Sequence, residues 1–297
     1  MHKSGFVAVI GRPNVGKSTL VNALVGAKIS IVTSKPHTTR HAILGMLTKP
    51  DYQIVFIDTP GFDTRVGKLL NKTMNRAAVG ASDSADLVLF VVEAGQWNAG
   101  DDAALELIRR RGQPCILAVN KIDRVRPRDS LLPFLQATSA RYDFIDIVPI
   151  SALDAENLQT LEAVIVARLP EQEALYSAEL QTNRGLRFRA AEILREKLMH
   201  HLRQELPYGV GVEILEFEED PDGRYVIDAT IWVERDSHKG IIVGRGGETI
   251  KLIGRAARLE MQEIFAHPVH LESRVKVKKN WSDNAQALQQ LGYDGEL

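Results

Sequence analysis

The stretch GRPNVGKST at residues 11–19 constrains the fold of this chain more than any other feature. It follows a short apolar run at 6–10, precedes an amphipathic pattern, and matches the phosphate-loop pattern G-x-x-x-x-G-K-[ST]. At average residue frequencies, a random match in a chain of this length has a chance of about one percent. The sequence of strand, glycine loop and helix predicts a nucleotide-binding α/β domain, with backbone N–H groups facing phosphate oxygens.

Each position of this loop has an expected role. Gly11 and Gly16 let the backbone curl around the phosphates. Lys17 supplies a positive charge to the β and γ oxygens, and the Ser18 hydroxyl is an oxygen ligand suited to Mg2+. The other loop residues expected to contact the nucleotide are Asn14, Val15 and Thr19.

Up to about residue 169, short apolar runs alternate with helical patterns. This alternation predicts a mainly parallel, six-stranded sheet with helices on both faces. The predicted strands are 6–10, 43–48, 53–57, 87–92, 116–119 and 145–149, and the predicted helices are 17–25, 67–80, 101–111, 129–140 and 157–168.

The motif FIDTPG places Asp58 at the C-terminal end of a predicted strand. Ligands bind at this edge of such sheets, so we expect the Asp58 carboxylate to hold Mg2+ through a bound water. The amide of Gly61 is expected to donate to the γ-phosphate and to sense its loss. Taken alone, the motif could also be an ordinary turn at the end of a strand.

The motif NKID, residues 120–123, indicates which base is bound. A carboxylate only accepts hydrogen bonds, and guanine offers N1–H and a 2-amino group as donors, so Asp123 favours GTP over ATP. Asn120 is expected to tie the loops together, and the stem of Lys121 to lie across the base plane. In the tripeptide SAL, formed by Ser151, Ala152 and Leu153, the Ala152 amide is expected to donate to guanine O6.

These four elements resemble those of the translation-factor-like GTPases in order and spacing. The resemblance implies that SKPHTTRHAILG, which starts at residue 34, is a switch segment with a threonine that contacts Mg2+ and the γ-phosphate. Thr39 is the expected residue, with Thr38 as the alternative. Such segments become ordered on the γ-phosphate and are released after hydrolysis.

Phe62 occupies the position at which Ras-like enzymes carry a water-orienting glutamine. Phenylalanine cannot orient water by hydrogen bonding, so we expect slow intrinsic hydrolysis. Asn14 is a candidate for the missing help, because its amide oxygen could coordinate K+ next to the phosphates. The alternative is that Asn14 only braces the loop.

The second half of the chain has a different pattern. The segment 170–185 shows little periodicity and is predicted to be a linker. Helix, strand, strand, short helix, glycine loop, helix and strand follow. The loop GRGG, Gly244 to Gly247, lies between an apolar GIIV and an amphipathic helix, and this arrangement resembles a type II KH domain, whose glycine loop clamps about four nucleotides.

The charge distribution also favours nucleic-acid binding in this half. Residues 204–237 hold ten acidic and two basic residues, whereas residues 238–281 hold nine basic and four acidic ones. The basic residues fall on one helix stripe and one strand face, where they could follow a phosphate backbone. The expected RNA contacts are Lys239, Ile241, Ile242, Val243, Gly244, Arg245, Gly246, Gly247, Ile250, Lys251, Arg255, Arg258, Lys276 and Lys278.

From GRPNVGKSTL through TTRH, DTPG and NKID to ELPY, VKVKKNWSD and LGY, the whole chain resembles the bacterial Era GTPases. The resemblance implies a GTPase domain over 1–169, a linker over 170–185, and a KH domain with its tail over 186–297. It further implies a monomer that binds GTP, GDP and the 3′ end of 16S rRNA, acts in 30S subunit assembly, and associates peripherally with the inner membrane. The alternatives are a GTPase that acts on another structured RNA or on tRNA, and an RNA-binding protein with a vestigial nucleotide site.

Composition narrows the class of protein. The length of 297 residues favours two domains, and the net charge of −1 conceals the local asymmetry described above. The single cysteine, Cys115, allows no intramolecular disulfide and favours a reducing compartment. Apolar runs fall far short of the roughly 18 residues that span a bilayer, and the N-terminus lacks a signal-peptide core, so we expect a cytoplasmic protein.

Overall fold

The computed structural model describes residues 2–62, 67–202 and 209–293. Within these residues, the first sheet contains six strands in the order β2-β3-β1-β4-β5-β6. β2 is antiparallel to β3 and the other pairs are parallel, which confirms the predicted sheet. The strands are β1 (Lys3–Ile10), β2 (Ile43–Lys49), β3 (Tyr52–Asp58), β4 (Leu87–Glu93), β5 (Cys115–Asn120) and β6 (Asp146–Pro149).

Helices cover both faces of this sheet, because its strands are apolar on both sides. Val7 and Val9 of β1 belong to one buried cluster, and Ala8 and Ile10 of the same strand belong to another. All residues of β5 are buried. The helices are α1 (Lys17–Val25), α2 (Leu69–Asp83), α3 (Ala99–Arg111), α4 (Leu131–Ser139) and α5 (Leu158–Arg168).

The segment 170–185 crosses the first sheet from β1 towards β2, and none of these described residues belongs to a helix or a strand. The Ser4 N–H donates to Pro170 O at 3.1 Å, and the Met46 N–H donates to Gln181 O at 2.9 Å. The side-chain oxygen of Gln53 accepts from two further backbone N–H groups of the segment. The segment is therefore fixed to the first sheet by hydrogen bonds.

Three strands of the described residues form a second sheet in the order β7-β8-β9, with β7 antiparallel and β9 parallel to β8. Alternate residues of β8 are buried against two helices, α6 and α8, as the period of two predicts. The elements occur in the predicted order. They are α6 (Leu186–His201), β7 (Val210–Glu219), β8 (Tyr225–Val233), α7 (Asp236–Val243), α8 (Glu248–Phe265) and β9 (Val269–Val277), followed by a 3-10 turn (Trp281–Asp283) and α9 (Ala285–Gln290).

Within the described residues, no helix has both the length and the apolar character needed to cross a membrane.

Candidate functional site: a guanine-nucleotide cleft beside an RNA groove

The phosphate loop connects β1 to α1 and places Lys17 at the first turn of the helix. Lys17 is buried, and its Nζ donates to the carbonyl oxygens of Gly11 and Arg12, both at 3.0 Å. Burial lowers the pKa of Lys17 to about 8, although the Asp58 carboxylate offsets part of this shift. The loop therefore holds an incompletely neutralised ammonium group where phosphate oxygens would enter.

Three oxygen-bearing side chains converge beside Lys17. Ser18 Oγ lies 2.7 Å from Thr39 Oγ1, and Asp58 is fully buried at the end of β3. Burial raises the pKa of Asp58, and the facing hydroxyls of Ser30, Ser18 and Thr39 offset part of this shift. Among the described residues, none of these hydroxyls reaches hydrogen-bond geometry with either carboxylate oxygen. An unpartnered buried carboxylate next to two hydroxyls fits Mg2+, which prefers oxygen ligands.

The structure distinguishes between the two candidate threonines. Thr38 Oγ1 bonds to Thr33 Oγ1 and to Lys35 O, each at 2.6 Å, and so is used within the switch segment. Thr39 instead reaches Ser18. This arrangement favours Thr39 as the residue that contacts the metal and the γ-phosphate.

Gly61 lies directly against the phosphate loop. A Cβ at this position would lie 2.7 Å from Pro13 Cα, which no side chain tolerates. The next amide, of Phe62, donates to Gly11 O at 3.3 Å. Phe62 lines a cavity with Ala103 and Leu107 of α3, and its side chain carries no group that could orient a water at the phosphates.

The base-binding loops are joined by side-chain hydrogen bonds. Asn120 Nδ2 donates to Val15 O at 2.8 Å, and Asn120 Oδ1 accepts from the Ala152 N–H at 2.9 Å. Ser151 Oγ donates to Asp123 Oδ1 at 2.7 Å and so orients the carboxylate that is expected to read guanine. Asn120 thus ties the loops together as predicted.

Two adjoining cavities form one cleft across these motifs. The phosphate part, of about 50 Å3, and the base part, of about 330 Å3, share Asn14, Gly16 and Thr19 in their walls. Lys17, Ser18, Thr39 and Gly61 line the first part. The base part is lined by Asn120, Lys121, Asp123, Ala152 and Leu153, whose side chain is 73% exposed. Val15, in contrast, is buried in the core and only its backbone reaches the site.

The sequence reasoning missed one wall of this cleft. Val32 and Thr33 line both parts, and Ser34 lines the base part. Asn14 Nδ2 donates to Ser34 O at 2.9 Å and links the phosphate loop to this wall. The available signal was that Ser34 begins the predicted switch segment and that Val32 and Thr33 directly precede it.

Comparisons with known proteins agree with this geometry. Residues 6–121 match the family model described as 50S ribosome-binding GTPase, and residues 205–282 match the KH domain model. The GTPase Era of Stenotrophomonas maltophilia is 47% identical over 294 residues, which cover 99% of this chain and 98% of the relative. That of Haemophilus influenzae is 45% identical over 98% of this chain and 97% of its own.

The chain belongs to the GTPase Era family.

Solved structures of Era extend the match to the whole fold. One is Era with MgGDPNP and nucleotides 1506–1542 of 16S ribosomal RNA, which is 38% identical, covers 99% of both chains, and superposes with a TM-score of 0.95. Another is Aquifex aeolicus Era bound to GDP and AlF4−, with 38% identity, 98% and 99% coverage, and a TM-score of 0.94.

This Era-family protein is therefore a GTP hydrolase, and Mg2+ is its metal ion. When bound, Mg2+ neutralises charge on the phosphate oxygens, and Ser18, Thr39 and Asp58 are the residues that fit it. Lys17 is placed where it would hold the phosphates as a point charge, and Asp123 where it would orient the base. In such enzymes catalysis consists mostly of positioning and charge stabilisation, which this arrangement of side chains can supply.

The KH half presents a groove of about 350 Å3 between α8 and β9. Gly244 opens the glycine loop with φ 71, where a Cβ would also lie 2.2 Å from Thr249 Oγ1. This double constraint explains why only glycine fits there. The groove is lined by Ile250, Lys251, Gly254, Arg255, Arg258, Leu271 and Ser273.

The structure does not bring all of the expected RNA contacts to this groove. Ile242 was expected to pack against bases, but it is fully buried in the core beneath α7, so this expectation is wrong. Lys276 lies on the opposite face of β9 from the groove residues Leu271 and Ser273, because side chains alternate along a strand. Lys278 shares that face and lies 3.7 Å from the ring centroid of Trp232.

The remaining RNA candidates surround the glycine loop. Ile241 and Arg245 are exposed there, and Val243 and Ile250 are half-buried. Gly246 and Gly247 have positive φ values, and Gly247 directly precedes the start of α8. Lys239 lies on α7, which leads into the loop. These residues stay predictions as RNA contacts.

Helix α6 of the KH half contacts the switch segment directly, which sequence reasoning also missed. Glu196 Oε1 accepts from the Val32 N–H at 2.8 Å, and Arg195 donates to Thr38 O. Lys35 Nζ donates to the carbonyl oxygens of Met199 and, beyond it, Leu202 at the end of α6. The segment that carries Thr39 is therefore held by the RNA-binding half.

The C-terminal tail contacts the other end of the same segment. The His41 ring stacks on Tyr293 with ring centroids 4.5 Å apart, and Arg40 donates to Tyr293 Oη at 3.3 Å. Trp281 is buried in a cluster with Met74 of α2, the helix that follows the DTPG motif. The switch segment and the region after the DTPG motif are the two parts expected to respond to the γ-phosphate, and both therefore contact the second half.

Proposed function

We propose that this Era-family GTPase binds 16S rRNA near its 3′ end and acts as a nucleotide-dependent switch in 30S subunit assembly. The supporting observation is the full-length match, at a TM-score of 0.95, to the Era structure that contains nucleotides 1506–1542 of 16S rRNA. The model that matches residues 6–121 names the 50S subunit, but 16S rRNA belongs to the small subunit. We give more weight to the match that covers both halves of the chain.

RNA crosslinking in cells, followed by sequencing, tests the identity of the RNA. The proposal expects reads concentrated at the 3′ end of 16S rRNA. Reads concentrated on tRNA or on another structured RNA would support the alternative functions instead.

RNA binding in vitro tests whether the groove residues contact the RNA. Arg255→Gln with Lys251→Gln should weaken binding of an RNA oligomer from the 3′ end of 16S rRNA and reduce the slope of affinity against salt by about two, one for each lost phosphate contact. Arg110→Gln is the control, because Arg110 is an exposed cation on α3 that does not line the groove. Equal salt slopes for the groove variant and the control would contradict this assignment.

The nucleotide state is proposed to control RNA binding. GTP would order residues 33–40 and those that follow Asp58, and hydrolysis would release them. The linker at 170–185 could transmit this change, but its hydrogen bonds to the first sheet and the direct contacts of α6 support a path through α6. RNA should bind more tightly with a non-hydrolysable GTP analogue than with GDP, and indistinguishable affinities would refute the coupling.

Intrinsic hydrolysis is proposed to be slow and to depend on K+. The side chain of Phe62 carries no group that could orient a water, and the bond from Asn14 Nδ2 to Ser34 O holds Asn14 between the phosphate loop and the switch segment. This bond also supports the simpler role of bracing the loop. Faster hydrolysis in K+ than in Na+ buffer supports the cation role, and equal rates support the bracing role.

We also propose that the protein is a cytoplasmic monomer that associates peripherally with the inner membrane, as the family resemblance implies. Light scattering tests whether the protein is a monomer in solution. Co-sedimentation with vesicles of anionic phospholipid tests the association, and full recovery of the protein in the supernatant would contradict it.

A further inference from the structure

Glu93 lies between the two loops that hold the nucleotide, although no motif used above includes it. It is the last residue of β4, whose neighbours in the sheet are β1, which leads into the phosphate loop, and β5, which leads into NKID. The register pairs Glu93 with Asn120. Because the carboxyl ends of parallel strands meet at one edge, the Glu93 side chain can reach both loops.

One carboxylate oxygen of Glu93 contacts a cation from each loop. Lys121 Nζ donates to Glu93 Oε2 at 2.8 Å, and Arg12 Nη2 lies 3.4 Å from the same oxygen. Arg12 Nε also donates to Asp101 Oδ2 at 3.0 Å, at the start of α3. Acidic and basic groups therefore alternate in the order Asp101, Arg12, Glu93 and Lys121.

These four side chains are mostly removed from water. The exposed fractions are 14% for Arg12, 13% for Glu93, 19% for Lys121 and 0% for Asp101. Charges attract more strongly in such a setting than at an open surface, and removal of one partner leaves another charge desolvated. Arg12, held by Asp101, therefore fixes the carboxylate that holds Lys121.

Lys121 also connects two backbone positions in an uncommon conformation. Lys121 and Asn14 both have φ 66, in the left-handed region that residues other than glycine rarely adopt. Lys121 Nζ donates to Asn14 O at 2.7 Å as well as to Glu93. Such backbone conformations persist where the surroundings fix them, and here the lysine and its carboxylate partner provide the fixing contacts.

We propose that Glu93 is a positioning residue for the guanine nucleotide, which acts by holding the Lys121 stem across the base plane. Anchored by Arg12, the Glu93 carboxylate keeps the base-binding loop and the phosphate loop in one arrangement and slows the release of nucleotide. This role is independent of which RNA the KH half binds.

The rate of release of a fluorescent N-methylanthraniloyl GDP tests the proposal in the full-length protein. Glu93→Gln keeps the shape of the side chain but removes its charge, and should speed GDP release about tenfold. The value of kcat at saturating GTP should change less than the rate of GDP release, because Glu93 contacts the loops beside the nucleotide and not the reacting phosphates. Glu106→Gln removes an exposed charge on α3 and should leave GDP release unchanged.

A double-mutant cycle separates this role from a general loss of stability. In a Lys121→Ala background, Glu93→Gln should have little further effect on GDP release, because the residue through which it acts is gone. Glu93→Asp, which keeps the charge, should fall between wild type and Glu93→Gln. GDP release from Glu93→Gln within twofold of wild type, or full multiplication of the two effects in the double variant, would overturn the proposal.

Discussion

The contact between Glu196 and Val32, two residues before the switch segment, gives the sharpest test of how the two halves communicate. The Glu196 side chain is 3% exposed, and its two oxygens accept from the Val32 N–H at 2.8 Å and from Lys28 Nζ at 2.5 Å. Glu196→Ala removes both hydrogen bonds without changing a side chain that lines the nucleotide cleft or the RNA groove. It therefore perturbs the contact that is proposed to connect them.

The expected magnitude follows from these two bonds. A hydrogen bond to a charged group contributes about 1.5–3 kcal/mol. The bond to Lys28 counts for less, because the Lys28 side chain is 32% exposed and keeps its second partner, Glu260. We expect Glu196→Ala to weaken the docking of the switch segment on α6 by about 2 kcal/mol, or roughly thirtyfold in the docking equilibrium.

Fluorescence anisotropy of a labelled RNA oligomer measures the effect. The ratio of RNA affinities with a GTP analogue and with GDP should move towards one in Glu196→Ala, by at most the thirtyfold lost in docking. Single-turnover GTP hydrolysis should also slow, because Thr39 lies in the same segment. Glu173→Ala, an exposed acid in the linker, is the control. A ratio equal to wild type in a variant with an unchanged thermal midpoint would refute the reasoning.

Three further predictions follow from the site. Asp123→Asn should lower the affinity for GTP by about a hundredfold. It should also shift the preference towards xanthosine triphosphate, because the 2-oxo group of xanthine accepts a hydrogen bond from the new amide. Competition binding with both nucleotides measures the two effects. The pKa of Lys17 is about 8, and bound phosphates should raise it again. GDP binding should therefore take up about 0.7 proton at pH 8.5, but only about 0.1 proton at pH 7. Calorimetry in buffers of different ionisation enthalpy measures this uptake. Burial, with Arg184 and Arg195 close by, lowers the pKa of His41 to about 3, so the unfolded chain takes up a proton first as the pH falls below 6.5. The free energy of unfolding should therefore fall by about 2 kcal/mol between pH 6.5 and pH 5, and this dependence should flatten in His41→Phe, as urea denaturation at both pH values would show.

Local sequence patterns predicted most of the nucleotide site. The phosphate loop, Asp58, Asn120 and Asp123 each follow directly on a buried apolar strand. Because the carboxyl ends of parallel strands meet at one edge, the sequence order of these motifs already places them in one cleft. The same reasoning would have found Glu93, which also ends a buried strand, had every strand end been considered.

The sequence alone was less informative about which side of a helix or strand faces the core or the groove. The run GIIV does not show which residue enters the core, and packing beneath α7 selected Ile242. The alternation of β9 predicted a shared face for Lys276 and Lys278, but not that this face lies away from the groove. Register and helix placement decide such questions, because they depend on contacts across the whole sheet.

By itself, the sequence determined the two fold classes, the preference for guanine and the phosphate-binding loop, because each depends on residues close together in the chain. Only the tertiary structure decided which surface of the KH half meets the switch segment. Glu196 and Val32 lie 164 residues apart, and no local periodicity links them. Their contact exists because the segment 170–185 is fixed along the first sheet and brings α6 beside the phosphate site.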